Sequence, residues 1–270
     1  MINLTEPERT DYDLSFNVAG FPVRVHPLFW LMGLILGALS AQGASAAGIN
    51  GLVIVVMWIG IVFVSILVHE LGHAVLMRFH GESARVVLYA MGGLAISEDS
   101  WMAMRRKGTR QPGEQVAISA AGPVAGFLLA GVLVGLIYAI GGTVEFRLIY
   151  QAIPDFHVGS LGRLAGTNQS IYWRVFFNAA LFVNIYWGMI NLLPVFPLDG
   201  GQIARALFTK FDPWDGIRKS LWLSVIVGAA IAVLGLSNSQ IFIGLLFASL
   251  AFSSWQLLQQ MSGRGGPGGW

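Results

Sequence analysis

His69, Glu70 and His73 stand close together in a stretch that is otherwise almost wholly apolar, Ile61-Val-Phe-Val-Ser-Ile-Leu-Val-His69-Glu70-Leu71-Gly72-His73-Ala-Val-Leu-Met77. Polar and ionisable side chains are costly in lipid, so three of them in such a run point to a use. On a helix, residues four apart project from the same face, one turn above the other. His69 and His73 have that spacing and Glu70 lies beside them, which is the H-E-x-x-H arrangement. In it two imidazoles hold a zinc ion and the glutamate acts on a zinc-bound water. The chain has no cysteine, so a metal must be held by His, Asp or Glu. The expectation is a zinc hydrolase centre, one Zn2+ per chain, inside a membrane. A catalytic zinc takes three protein ligands, and Asp199 is the best candidate for the third. It follows Pro194 and Pro197, where the backbone cannot be regular helix. Broken backbone at membrane depth is tolerated only when buried in protein or lining a cavity. Asp-Gly after proline is also a turn, and Asp199 could equally cap a short helix over Gln202–Lys210.

The elements that must position these groups are membrane spans. Of the 270 residues, 55% are hydrophobic and only 11% charged, against about 25% charged in a soluble domain, and the mean hydropathy is +0.67. The fold class expected is an all-α polytopic membrane protein of six transmembrane helices, with a small β-sheet or hairpin at the cytoplasmic surface. The spans fall at about residues 28–47, 52–79, 116–140, 175–193, 221–236 and 241–258, each near the roughly 20 residues a bilayer requires. Residues 1–27 form an N-terminal cytoplasmic segment with a short surface strand around Val23-Arg24-Val25, and they lack the pattern of a cleavable signal. Residues 28–258 form the membrane domain and 259–270 a disordered Gly-rich tail. Arg85–Ser97 is β-prone and split by Gly92-Gly93, which suggests a hairpin whose glycines make the turn. Residues 80–113 and 141–173 are polar connections, and Ser119-Ala-Ala-Gly122-Pro123-Val-Ala-Gly126 offers small residues for close helix packing. Of the 16 Lys and Arg residues, all but Arg147, Arg163 and Arg174 fall on one side of these six spans. That bias places both termini in the cytoplasm. The basic residues are scattered rather than massed, so no nucleic-acid partner is expected. The partner expected is a lipid bilayer.

His69-Glu-Leu-Gly-His73 in one span, followed by Asn191-Leu-Leu-Pro194-Val-Phe-Pro197-Leu-Asp199-Gly200 in a later one, resembles the site-2 protease family of intramembrane zinc metalloproteases. The Phe-Pro-Val-Arg-Val-His lead-in at 21–26, the turn at Met91 and Ala121-Gly-Pro123 extend the likeness over about residues 20–210. The resemblance implies His69, His73 and Asp199 as zinc ligands and Glu70 as the catalytic base. It implies that Asn191 lies near the scissile bond and that the segment around Gly92–Ile96, with Gly92 and Gly93, offers a strand edge to the substrate. It further implies cleavage of a peptide bond in the transmembrane helix of a membrane protein, in a bacterial or archaeal cell membrane. Taken as residues alone, Asn191 could instead bond the backbone freed by Pro194. Many relatives carry Asn where this chain has Gly126, and the PDZ and CBS domains of some branches are not seen. The alternative function is a non-hydrolytic zinc transporter or sensor, in which Glu70 would itself be a metal ligand.

Overall fold

A computed structural model of the chain describes residues 6–42, 49–90, 92–97, 110–149, 153–162 and 170–263. Among these, residues within 6–100 and 122–188 form one compact unit, and those within 101–121 and 189–270 form the other.

The first unit begins with β1 (Leu14–Val18) and β2 (Phe21–Val25), followed by α1 (Pro27–Ser40) and α2 (Gly51–Phe79). Strands β3 (Ala84–Tyr89) and β4 (Gly92–Ser97) come next. The four strands make one sheet in the order β1-β2-β3-β4, so β4 is an edge. β2 and β3 pair in parallel, with Val25 opposite Leu88, and α1 and α2 form the crossover that a parallel pair requires. Val23, Val25, Val86, Val87 and Leu88 are buried, and β3 and β4 pack on α2. The strand expected at Val23-Arg24-Val25 is therefore real, and it is the second strand of a sheet rather than an isolated one. Arg78 in the last turn of α2 stacks on the Phe21 ring at 3.4 Å. It also donates to the Ala19 and Gly20 carbonyls at 3.1 and 2.7 Å, fastening the β1–β2 turn to the end of that helix.

The hairpin at 84–97 forms as expected, but its turn lies between Tyr89 and Gly92, and the two glycines open β4. Residues 141–173, expected as a polar connection, contain a second antiparallel hairpin, β5 (Thr143–Ile149) with β6 (Ile153–Ser160). Asn178 Oδ1 accepts from the Val158 amide of this hairpin at 2.8 Å.

The remaining helices are α3 (Pro112–Ala139), α4 (Ser170–Asn191), α5 (Asp199–Phe211), α6 (Gly216–Ser237) and α7 (Ile241–Gly263). Among the described residues, four helices are long and apolar enough to cross a membrane: α2, α3, α6 and α7. The other two expected spans do not meet that measure, for two physical reasons. α1 has 14 described residues, about 21 Å at 1.5 Å per residue, short of a hydrocarbon core of about 30 Å; residues 43–48, which include the end of the expected first span, lie outside the described residues. α4 has 22 residues, but Arg174, Asn178, Asn184 and Asn191 make it too polar. Residues 259–263, expected in the tail, belong to α7, whose Gln259, Gln260 and Met261 are helix formers. Arg105, Arg106, Lys107, Arg163 and residues 264–270, on which parts of the charge and tail readings fall, lie outside the described residues.

Glu6 bridges the sheet from the N-terminal side. It accepts from Arg85 and, at 2.8 Å, from Arg24, whose other nitrogen reaches Asp13 at 2.6 Å. The Arg85 hydrogen bond, with the charges of Arg85 and Arg24, holds the Glu6 carboxyl below the usual glutamate range against the opposing effect of burial. A depressed folded-state pKa means stabilisation that is present above the ordinary value of about 4.3. It is lost as pH falls through the lower folded value. Thermal midpoints in detergent should therefore show the wild type above Glu6→Gln at pH 7, with the two converging under acid. A gap that stays constant down to pH about 3 would remove Glu6 from this role.

Candidate metal centre

Helix α2 is apolar on all sides over most of its 29 residues, as expected of a helix surrounded by protein and lipid. Asn50 caps its start, the side chain accepting from the Leu52 amide at 3.0 Å. Its helical repeat stacks Ser65, His69 and His73 on one side, and all three are buried with Glu70. The imidazoles of His69 and His73 meet edge-on, ring centroids 5.0 Å apart, with their Nε2 atoms 3.3 Å from each other. For metal–nitrogen bonds of about 2.0–2.1 Å, the edge of a tetrahedron is about 3.3–3.4 Å, so the two nitrogens sit where a shared zinc would need them. One ligand atom from each of His69, Glu70 and His73 lies within 4.8 Å of the others. The residues fit a metal of the zinc type.

Two glycines make room for this cluster. A Cβ at Gly122 on α3 would stand 2.2 Å from His73 Nε2 and 2.7 Å from His69 Nε2. A Cβ at Gly93 on β4 would stand 2.2 Å from Glu70 Cγ and 2.6 Å from its Oε1. Glu70 is thus backed by the edge strand, and the two histidines by the backbone of α3. Gly92, at φ +124, has the indole of Trp187 against it, Cζ2 lying 3.0 Å from where a Cβ would be. Burial, and then the negative charge of Glu70, push the Tyr89 phenol above its ordinary value. Asn184 on α4 donates to Ser65 Oγ at 2.9 Å and to its own helix at Ala180. This ties α4 to α2 one turn before His69. Gly126, the site of the departure from relatives, leaves space beside Asn184.

Asn191 and Asp199 belong to the other unit. Asn191 is the last residue of α4, and the chain then runs through Pro194 and Pro197 to Asp199, the first residue of α5. The N-cap position is held by Leu198 with no side-chain cap bond, so Asp199 does not cap the helix, and that helix starts three residues before the expected Gln202. The non-helical backbone between these helices is satisfied from α6 and α7. Ser224 Oγ accepts from the Phe196 amide at 2.9 Å, and Ser254 donates to the Phe196 carbonyl at 3.4 Å. Val195 is buried among Ala232, Phe247 and Leu250. Gly200 and Gly201 let α5 begin directly against residues 192–196, where a Cβ would meet backbone at 2.1 and 2.5 Å.

The structure therefore brings His69, Glu70, His73 and Gly93 together and sets Gly92 next to them. The sequence alone does not single out Gly122 or Trp187: Gly122 is visible only as part of a small-residue run, and Trp187 as one of nine tryptophans.

The profile of peptidase family M50 matches residues 57–235. The chain belongs to this family, as the resemblance to site-2 proteases implied. It is 25% identical over 220 residues to zinc metalloprotease MJ0392 of Methanocaldococcus jannaschii, covering 81% of this chain and 51% of that protein. It is 26% identical over 247 residues to stage IV sporulation protein FB of Bacillus subtilis, covering 88% and 66%. The chain thus spans about half to two thirds of the length of these curated relatives. A solved structure titled site-2 protease from Methanocaldococcus jannaschii has the same fold, with a TM-score of 0.52 at 22% identity over 92% of this chain and 95% of that one.

Gly122→Ala should lower the zinc content of the purified protein, because its methyl group invades the space of both Nε2 atoms. Gly93→Ala should leave zinc in place while cutting proteolysis by about 10²-fold through displacement of Glu70. Metal analysis beside a cleavage assay separates the two; equal zinc loss in both variants would contradict it. Ser224→Ala, which orphans the half-buried Phe196 amide, should cost about 1–3 kcal/mol in detergent unfolding. Ser249→Ala, whose hydroxyl donates only within its own helix, should cost less.

Proposed function

We propose that the chain is an intramembrane zinc metalloprotease that hydrolyses a peptide bond in or near the transmembrane helix of a membrane-anchored protein. The observation that carries this is the 3.3 Å Nε2 pair of His69 and His73, with Glu70 buried beside it in a membrane-length apolar helix. Family membership and the names of the relatives support it. His69, His73 and Asp199 are the proposed metal ligands. Asp199 is supported by its place at the start of α5, after a helix break held in shape by Ser224 and Ser254.

When bound, zinc supplies the Lewis acidity that brings the pKa of water from about 15.7 toward 7. Glu70 accepts the proton of the attacking water as its oxygen bonds to the scissile carbonyl carbon, and returns that proton to the amide nitrogen as the C–N bond breaks. The edge of β4 from Gly92 and Gly93 onward binds extended substrate backbone by strand addition. Asn191 is assigned to hold the substrate near the scissile bond. The topology proposed keeps six crossings, with α1 and α4 completing the four strongly apolar helices and both termini in the cytoplasm. The Lys and Arg bias supports that orientation.

Glu70→Gln should retain about one zinc per chain and lose cleavage of a model transmembrane substrate by 10²-fold or more, the usual contribution of a general base being about 10²–10⁴. Loss of zinc together with activity would make Glu70 a ligand and favour a metal transporter or sensor instead.

A further inference from the structure

Gly92 and Gly93 are consecutive residues of an edge strand, and each lacks a side chain for a different reason. Glu70 takes the space beside Gly93, and the Trp187 indole takes the space beside Gly92. The backbone of α4 is anchored on both sides of Trp187. Asn184, one turn earlier, is bonded to Ser65 of α2 at 2.9 Å. Gly188, the next residue, lies so close to the Phe127 ring of α3 that a Cβ there would fall 2.8 Å from Cε1. The indole is half-buried, and the stretch of α4 that carries it is packed against two neighbouring helices.

A peptide added to the free edge of β4 runs about 4.7–4.9 Å away, and directly paired Cβ positions are about 4.5–5.5 Å apart. Indole Cζ2 lies 3.0 Å from the Cβ position of Gly92, so it stands in the same cross-strand layer. With no side chain on Gly92, the indole is the surface that the opposing substrate side chain meets. Residues along a strand are spaced by about 3.3 Å. The position facing Trp187 is therefore the immediate neighbour of the one facing Gly93 and Glu70, where the bond is cut.

We propose that Trp187 is a specificity-determining residue, forming the wall of a substrate subsite one residue from the scissile bond that admits Gly, Ala or Ser and excludes large side chains. This rests on the strand-edge reading of β4 given above, and it adds what that edge selects.

The test takes the purified full chain in detergent and a panel of model single-span substrates carrying Ala, Val, Leu or Phe at each position around the cleavage site mapped by mass spectrometry. The wild type should show one position, adjacent to the cut bond, where Leu or Phe lowers kcat/KM roughly tenfold or more relative to Ala. Trp187→Ala should bring that Leu-to-Ala ratio near one, with Trp187→Phe between. A wild type that discriminates nowhere, or a preference that survives in Trp187→Ala, overturns the proposal. An activity-independent measurement uses the absence of cysteine in the chain. In the Glu70→Gln form, Trp187→Cys should form a disulfide with a substrate cysteine at that one position. If Ala95→Cys on β4 cross-links and Trp187→Cys does not, the specificity assignment is wrong while the strand edge stands. If neither cross-links, the strand-edge reading fails and takes this subsite with it.

Discussion

Two imidazoles and a carboxylate buried inside an apolar helix are tolerated only if their charge and hydrogen-bonding capacity are answered from close by. The rest of the structure follows from that constraint. An ion between His69 and His73 is one answer, and the 3.3 Å separation of their nitrogens is the geometry for it. The groups around it are packed closely, and the chain achieves this with backbone rather than with side chains. Gly122 brings α3 against the histidines, and Gly93 brings β4 against Glu70. A side chain at either place would have filled the space the chemistry uses.

The same economy governs the broken backbone after α4. A helix interrupted by prolines exposes amides and carbonyls that lipid cannot satisfy. Ser224 and Ser254 supply a hydroxyl to each side of the Phe196 peptide unit, and Val195 locks the segment into an apolar cluster. The segment that leads into α5 thus has its polar backbone answered and its apolar side chain buried, although it is not helical.

Much of this was legible in the sequence because it lay in spacing. The four-residue interval between His69 and His73, the Pro–Pro–Asp run ending at Asp199, and the β-prone segment around Gly92-Gly93 each carry a local physical meaning. What was not legible lay in contacts between distant residues. Gly122 is one glycine in a small-residue run until its neighbour is known to be His73, and the Gly pair looks like a turn until Glu70 and Trp187 are seen against it. The β5–β6 hairpin was missed although Thr143-Val-Glu-Phe-Arg-Leu-Ile149 alternates in polarity. Its charged residues drew attention to polarity instead of period. Hydrophobic length likewise does not reveal that Asn184 and Asn178 of α4 bind α2 and β6.

A site walled by missing atoms has a consequence for anyone wishing to harden this molecule against heat. Exchanging glycine for alanine inside helices is a common route to greater stability, worth up to about 1 kcal/mol each where the backbone allows it. At Gly122 that route runs straight into the metal site. Gly60, Gly131 and Gly135 are different: each is helical, and an added methyl group at any of them meets nothing within 4 Å. Durability and chemistry are thus written at separate glycines of the same helices, and an engineer can rework the first set without touching the second.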